Sequence, residues 1–150
     1  MPANTFDIRP LASDDRPVWA PLWRDYLAFY DTSVPPEIED LTFARYTDPA
    51  REDMRAWLAW DGGQALGLVH VILHAHGWRA EPVAYLQDLY TATAARGRGI
   101  GRALIETVYA DADAAARPDV YWLTHESNRV ARSLYDRVAR NTGFVRYARV

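Results

Sequence analysis

The apolar and polar positions change period several times along this chain, and each change marks an element. Phe6 to Arg9 alternates and is closed by Pro10, which predicts a short first strand. Ser13-Asp14-Asp15-Arg16-Pro17 gathers cap-type residues ahead of a proline suited to a first turn. Trp19, Trp23, Tyr26, Leu27 and Tyr30 follow at helical spacing, so a helix is expected from about Asp15 to Tyr30, with Pro21 early enough to be tolerated with a kink. After a loop from Asp31 to Pro36, a second short helix is expected from Glu37 to Tyr46. Its acidic Glu37, Glu39 and Asp40 stand near the start, where they complement the helix dipole. Met54 to Trp60 and Leu66 to Leu73 suit two strands, and the Asp61-Gly62-Gly63 turn between them predicts an antiparallel hairpin.

The second half continues with a turn from Gly77 to Pro82 and a strand from Val83 to Thr91. From Ile100 to Ala116 the residues Ile100, Leu104, Val108 and Ala112 recur four apart on one helical face, and Arg117-Pro118 stops the pattern. Val120 to Thr124 is a further strand, Asn128 to about Val138 a helix aligned on Val130, Leu134 and Val138, and Phe144 to Val150 a last strand. The order is strand, two helices, three strands, helix, strand, helix, strand. That order predicts an α/β (α+β) fold with a mixed sheet covered by helices.

Composition narrows the function. With 150 residues, 49% of them apolar, the chain can bury one core, so residues 1–150 are expected to form one domain. A formal net charge of -3 argues against a general polyanion binder, and no nucleic-acid partner is expected. All 17 basic residues are Arg. There is no cysteine, which excludes disulfides, thiolate metal sites and a cysteine nucleophile together. Neither a signal peptide nor a long apolar run is visible, so a cytoplasmic protein without a membrane partner is expected.

The run Arg96-Gly97-Arg98-Gly99-Ile100-Gly101 sits between an apolar strand and an amphipathic helix. Its glycines let the backbone approach a ligand, and the first amides of the following helix lack intrahelical partners, an arrangement that suits a diphosphate. Two commoner phosphate loops do not fit. Counting from Gly97, a Gly-x-Gly-x-x-Gly pattern ends on Arg102, and a Walker loop needs a lysine that the chain lacks. The run does match Arg/Gln-x-x-Gly-x-Gly/Ala, the acetyl-coenzyme-A loop of the GNAT N-acetyltransferases.

Leu86-Gln87-Asp88-Leu89-Tyr90-Thr91 looks like the fourth strand of that family. Asn128-x-x-Ala131-x-x-Leu134-Tyr135, followed by Gly143-Phe144-x-x-Tyr147, looks like its last helix and strand. The chain thus resembles the GNAT superfamily over nearly its whole length, most of all its small histone and polyamine acetyltransferase-like branch. The resemblance implies a mostly antiparallel sheet of six to seven strands with about four helices, and acetyl-CoA as cosubstrate. It implies that the strand Leu89-Tyr90-Thr91 bonds the pantetheine arm through Leu89 and Thr91, and that amides from Arg96 through Arg102 hold the pyrophosphate. It further implies that Asn128 touches the coenzyme arm and that Tyr135 meets the thioester sulfur. Asn128 can also be read as a helix cap and Tyr135 as a core aromatic.

Acetylating an amine needs a neutral nitrogen, a donor for the carbonyl oxygen and a proton for the leaving thiolate. A primary alkylamine has a pKa of ~10.4, so a carboxylate or a water chain must take its proton. In the family the Leu89 amide would serve the oxygen and Tyr135 the last proton. Without cysteine, direct attack in a ternary complex is expected rather than a thiol-linked acyl-enzyme. The base is less defined. Gln87 stands where polyamine acetyltransferases usually have Glu, and an amide cannot usefully accept a proton. Asp88 is adjacent, but strand alternation sends it to the opposite face unless a bulge re-aims it. Glu126 is a second carboxylate and His125 a third candidate, and a water-relayed base is expected. The residues Val138 to Thr142 lengthen the loop between Tyr135 and Gly143 relative to the family.

The acceptor is expected against the first two helices and their loop, with Tyr26, Tyr30, Glu37 and Gln87 as substrate-binding residues. The aromatic and acidic groups there, which include Asp31, Glu39 and Asp40, suit a cationic amine. His70, His74 and His76 share one strand face by period two, but three side chains spaced along one strand converge poorly on an ion, so no metal is expected. A noncatalytic acetyl-CoA sensor or partner-binding module is the rival reading, favoured by Gln87. The aromatic last strand, Phe144 to Val150, suggests a homodimer paired at sheet edges.

Overall fold

The computed structural model describes residues 5–150. Five strands form one sheet in the order β1-β2-β3-β4-β5, with β1 at Asp7–Pro10, β2 at Met54–Asp61, β3 at Gln64–His74, β4 at Val83–Thr91 and β5 at Val120–Tyr121. The first four pair antiparallel, whereas β5 runs parallel to β4 after a helical crossover. Helices α1 (Arg16–Phe29) and α2 (Pro36–Thr47) connect β1 to β2, α3 (Ile100–Ala114) connects β4 to β5, and α4 (Arg129–Val138) follows β5.

Two cores lie on opposite faces of the sheet. Leu58, Leu68 and Tyr90 project into one, where Trp19 and Trp23 of α1 and Phe43 and Tyr46 of α2 cover them. Trp19 is fully buried, and removing a buried indole of this kind typically costs about 3–5 kcal/mol. Val69, Val71, Ala84 and Leu86 face the other core, closed by Ile100, Leu104, Ile105 and Val108 of α3. Ile100, Leu104 and Val108 are among the four-apart positions that predicted the helix. Gly67 is what lets α3 come so close, because a Cβ there would stand 2.9 Å from the Tyr90 carbonyl oxygen and 3.0 Å from Ile100.

The fold is the expected mixed α/β sheet with four helices, and the expected six to seven strands become five. The difference lies at the end of the chain. Phe144 to Val150 is in no sheet, and Phe144 and Tyr147 are almost wholly exposed. An apolar, aromatic segment becomes a strand only beside an edge that receives it. The available edge, β5, is paired over just Val120 and Tyr121 and not up to Thr124 as expected, while the backbone past Asn141 turns through a left-handed Gly143 at φ +84°.

Candidate active site

The site begins at an irregularity in β4. Val71 pairs with Leu86 and His70 with Asp88, so Gln87 is an extra residue bulged out of the ladder. The bulge reverses the alternation. Ala84 and Leu86 face the α3 core, yet Asp88 and Tyr90 face the α1 side, and Gln87 itself is exposed. This is the re-aiming that Asp88 needed.

The same strand has a free edge. On the β5 side the Ala84 amide donates to the Asp119 carbonyl at 2.9 Å, and strand pairing ends at Tyr85. On the β3 side the Ala92 amide donates to the Leu66 carbonyl at 2.8 Å. By antiparallel alternation Tyr90 also faces β3, and Leu89 and Thr91 turn their backbone groups into the opening between β4 and β5. At the end of this opening the chain makes a short 3-10 turn, Thr93–Ala95, and enters α3 through Gly97 and Gly99, both at φ +81°. Only glycine holds that left-handed conformation at little cost, and Gly99 is the residue preceding the helix. The amides of Gly99, Ile100, Gly101 and Arg102 have no acceptor among the described residues.

Helix α4 forms the facing wall. Asn128 precedes it without capping it, and its Nδ2 instead donates to Thr124 Oγ1 at 3.2 Å. Ala131, Leu134 and Tyr135 face the β4 edge and the glycine turn across a cleft of about 520 Å³. Tyr135 packs its ring edgewise on Trp122, with centroids 5.3 Å apart. Burial, with a smaller contribution from nearby Tyr30, pushes its hydroxyl up to about 12, so it holds its proton at neutral pH.

At the α1 end the cleft meets Tyr26, Phe29 and Tyr30. Behind them lies a buried polar chain. Trp19 Nε1 donates to His70 Nε2 at 2.9 Å, His70 Nδ1 lies 2.8 Å from Asp88 Oδ2, and Trp23 Nε1 donates to the same oxygen at 3.3 Å. Burial pushes the Asp88 carboxyl up, but the hydrogen bond and electrostatic attraction of His70, with hydrogen bonds from Tyr26 and Trp23, outweigh it and hold the carboxyl below its usual range. Tyr26 is pushed well above the ordinary phenol range by burial first and by the Asp88 charge second.

A strand edge that offers backbone groups, a glycine turn with free amides and a tyrosine on the opposite helix suit an extended acyl-coenzyme, and the family is shown by a family model. The model of the Acetyltransferase (GNAT) family matches residues 19–139. The chain belongs to that family. It is an acetyl-CoA-dependent N-acetyltransferase, and it is 40% identical over 146 residues to the D-amino-acid N-acetyltransferase HPA3 of Saccharomyces cerevisiae, covering 95% of this chain and 89% of that protein. The same fold is found in the aminoglycoside acetyltransferase AAC(6')-Iy in complex with a bisubstrate analogue, at TM-score 0.84 and 17% identity, with 97% of this chain and 98% of that one covered. It is found too in a ribosomal-protein-alanine N-acetyltransferase from Brucella melitensis biovar Abortus, at TM-score 0.77 and 20% identity, with 97% and 99% covered.

Most residues expected to bind acetyl-CoA in this GNAT enzyme line the one cleft: Leu89, Tyr90, Thr91, Arg96, Gly97, Gly99, Ile100, Gly101, Arg102, Asn128 and Tyr135. Arg98 is the exception. Its guanidinium turns away to the Thr5 carbonyl at 3.3 Å and Asp61 at 3.2 Å, leaving only its backbone to the loop. Tyr26 and Tyr30 reach the cleft, but the other expected acceptor residues do not line it. Glu37 is exposed on the first turn of α2, and Glu39 is buried against Arg16 at 2.9 Å and Arg24 at 2.6 Å, which makes it a brace between helices. Glu126 is exposed in the loop before α4, where its carbonyl accepts from Arg132 at 2.8 Å. Of the three histidines, His74 bonds the Tyr121 hydroxyl at 2.8 Å, His76 accepts from the Trp78 amide at 3.1 Å, and His70 alone joins the polar chain. His70, Trp19 and Trp23 were not legible as site residues. The one available signal was the pairing of β3 with β4, which sets His70 opposite Asp88 once the bulge is counted.

Proposed function

We propose that this one-domain enzyme acetylates a cationic primary amine, of the small-amine, amino-acid or peptide-lysine kind, by direct attack in a ternary complex. The observation that carries the reading is the buried Asp88 carboxylate behind Tyr26 and Tyr30, at the end of the same cleft that Leu89 and Tyr135 line. An ionised carboxylate under aromatic rings attracts an ammonium group by charge and by cation-π contact. The 40% identity to a D-amino-acid N-acetyltransferase supports an acceptor that carries an amino group.

Acetyl-CoA supplies the activated acetyl group. The chain's own parts divide the remaining work. Leu89 and Thr91 offer the backbone groups that an extended pantetheine arm can pair with, and the amides from Gly99 to Arg102 suit its diphosphate. The Leu89 amide is the donor for the carbonyl oxygen as negative charge develops there. Asp88 takes the acceptor's proton through a bridging hydroxyl or water, since it stands behind Tyr26 and not on the cleft wall. Tyr135, protonated at neutral pH, returns a proton to the departing sulfur. Glu126, out in solvent, is the poorer of the two carboxylates for this role. Gln87, the residue that favoured a noncatalytic sensor, bulges outward and leaves the inward position to Asp88.

The exposed Phe144–Val150 segment supports a homodimer in which it pairs with a sheet edge of the second copy. A cytoplasmic location goes with acetyl-CoA as cosubstrate, and no described helix is long and apolar enough to cross a membrane. The test is thiol release from acetyl-CoA with spermidine, D- and L-amino acids and lysine peptides. Turnover with intersecting initial-rate lines is expected. Parallel lines, or acetyl-CoA binding without turnover on any amine, would overturn the reading.

A further inference from the structure

The chain Trp19–His70–Asp88 carries more than packing. An indole N–H can only donate, so His70 Nε2 is an acceptor and its single ring hydrogen sits on Nδ1, directed at Asp88 Oδ2. His70 has no exposed surface, and its ring stacks on Tyr46 with centroids 4.3 Å apart and planes 18° off parallel. The imidazole is therefore fixed in both rotation and tautomer. Trp23 donates to Oδ2 as well, so both nitrogen donors converge on one oxygen and leave Oδ1 unclaimed by either.

We infer that His70, pinned by Trp19, is a positioning residue for acetyl transfer: it occupies Asp88 Oδ2 in one tautomer and so presents Oδ1 as the oxygen that receives the acceptor's proton. The inference rests on the acetyltransferase reading of Asp88 given above. The step balances on the carboxylate alone. An N–H bond of the ammonium group breaks, its electron pair stays on nitrogen, and the proton passes by way of the bridging group to Oδ1, which gives a neutral amine and a protonated Asp88. His70 keeps its own hydrogen throughout, because Nε2 is occupied by the Trp19 N–H and cannot take a second one in exchange. His70 thus holds the base without being one.

Besides His70 of β3, the titratable groups facing Asp88 from the packed elements are phenols: Tyr26 and Tyr30 of α1, Tyr46 of α2 and Tyr85 of β4. Asp53 lies within electrostatic reach of Tyr46 and Arg146 within reach of Tyr85, one remove from the carboxylate. Freeing Nε2 would open a second proton site on the ring that the Trp19 N–H now blocks.

Trp19→Phe does this, since it keeps a ring beside Trp23, now 5.1 Å away, and deletes the N–H. With acetyl-CoA and the best amine of the panel, Trp19→Phe is expected to lower kcat/KM about tenfold and to change the shape of the pH profile, with KM for acetyl-CoA unchanged. His70→Asn, whose amide N–H can stand where Nδ1–H was, is expected to keep activity within about fivefold, while His70→Leu loses about 100-fold. In wild type, nitrogen-15 spectra should show a protonated Nδ1 and a bare Nε2 on His70, a measurement that does not depend on any variant folding. An unchanged pH profile in Trp19→Phe, equal damage in His70→Asn and His70→Leu, or the opposite tautomer overturns the inference while leaving the acetyltransferase reading in place. A wild-type protein that turns over no amine overturns both.

Discussion

The two halves of the cleft are built from different materials. On the proposed coenzyme side the groups on offer are backbone amides and carbonyls of Leu89, Thr91 and Gly99 to Arg102, freed by a diverging strand and a glycine turn. On the proposed acceptor side they are side chains, Trp19, Trp23, Tyr26, His70 and Asp88, gathered from one helix and two strands onto a single carboxylate. A backbone site tolerates changes of side chain as long as the chain path survives. A side-chain network does not, because each missing donor leaves a buried partner unpaired.

Substitutions at the two ends sharpen this contrast. The largest effect is expected for Asp88→Asn, which keeps the shape and removes the charge and the proton acceptor. Its kcat/KM should fall about 1,000-fold with acetyl-CoA affinity, read by calorimetry, unchanged. The same variant has a signature in stability. The folded carboxyl lies below its ordinary value of 3.8, so its contribution is present above that pH and is lost as pH falls through the folded value. Melting temperature followed from pH 6 downward should therefore decline less steeply in Asp88→Asn than in wild type. Next comes Gly99→Ala on the coenzyme side. A Cβ meets open space there, but the left-handed φ of +81° costs the alanine roughly 1 kcal/mol, and acetyl-CoA should bind about fivefold more weakly. The smallest effect is expected at Arg98, although it sits inside the motif. Arg98→Ala should change acetyl-CoA affinity less than about twofold while lowering the melting temperature slightly, since its guanidinium serves Asp61 and Thr5. A tenfold loss of coenzyme binding in Arg98→Ala, or none in Gly99→Ala, would break the comparison.

The same division explains what could be read before any coordinates. The glycine turn, the strand ahead of it and the Asn128-to-Tyr135 helix are contiguous motifs, and contiguous motifs survive in a string of letters. The element order was legible for the same reason, since period two and period 3.6 are local properties. The acceptor network joins residues 19, 23, 26, 70 and 88, and nothing local links Trp19 to His70 across 51 positions. Acidic Glu37 and Glu39 drew attention by charge, yet Glu39 is neutralised by Arg16 and Arg24, because a pairing partner 23 residues away is as invisible as a catalytic one. The last strand failed on a different ground. Its aromatic and apolar residues suit a strand, but a strand is completed by its neighbour, and among the described residues no edge receives it.

The unpaired Gln87 makes the length of β4 a functional quantity in its own right. Upstream of it the strand follows one phase and downstream the other, and the coenzyme edge and the acid anchor belong to the same downstream phase. Drawing this one residue into the ladder opposite His70 would rotate Asp88 into the apolar layer beneath α3, and swing the Leu89 amide back toward its neighbour in β3. Both substrates would lose their grip from a lesion that touches neither.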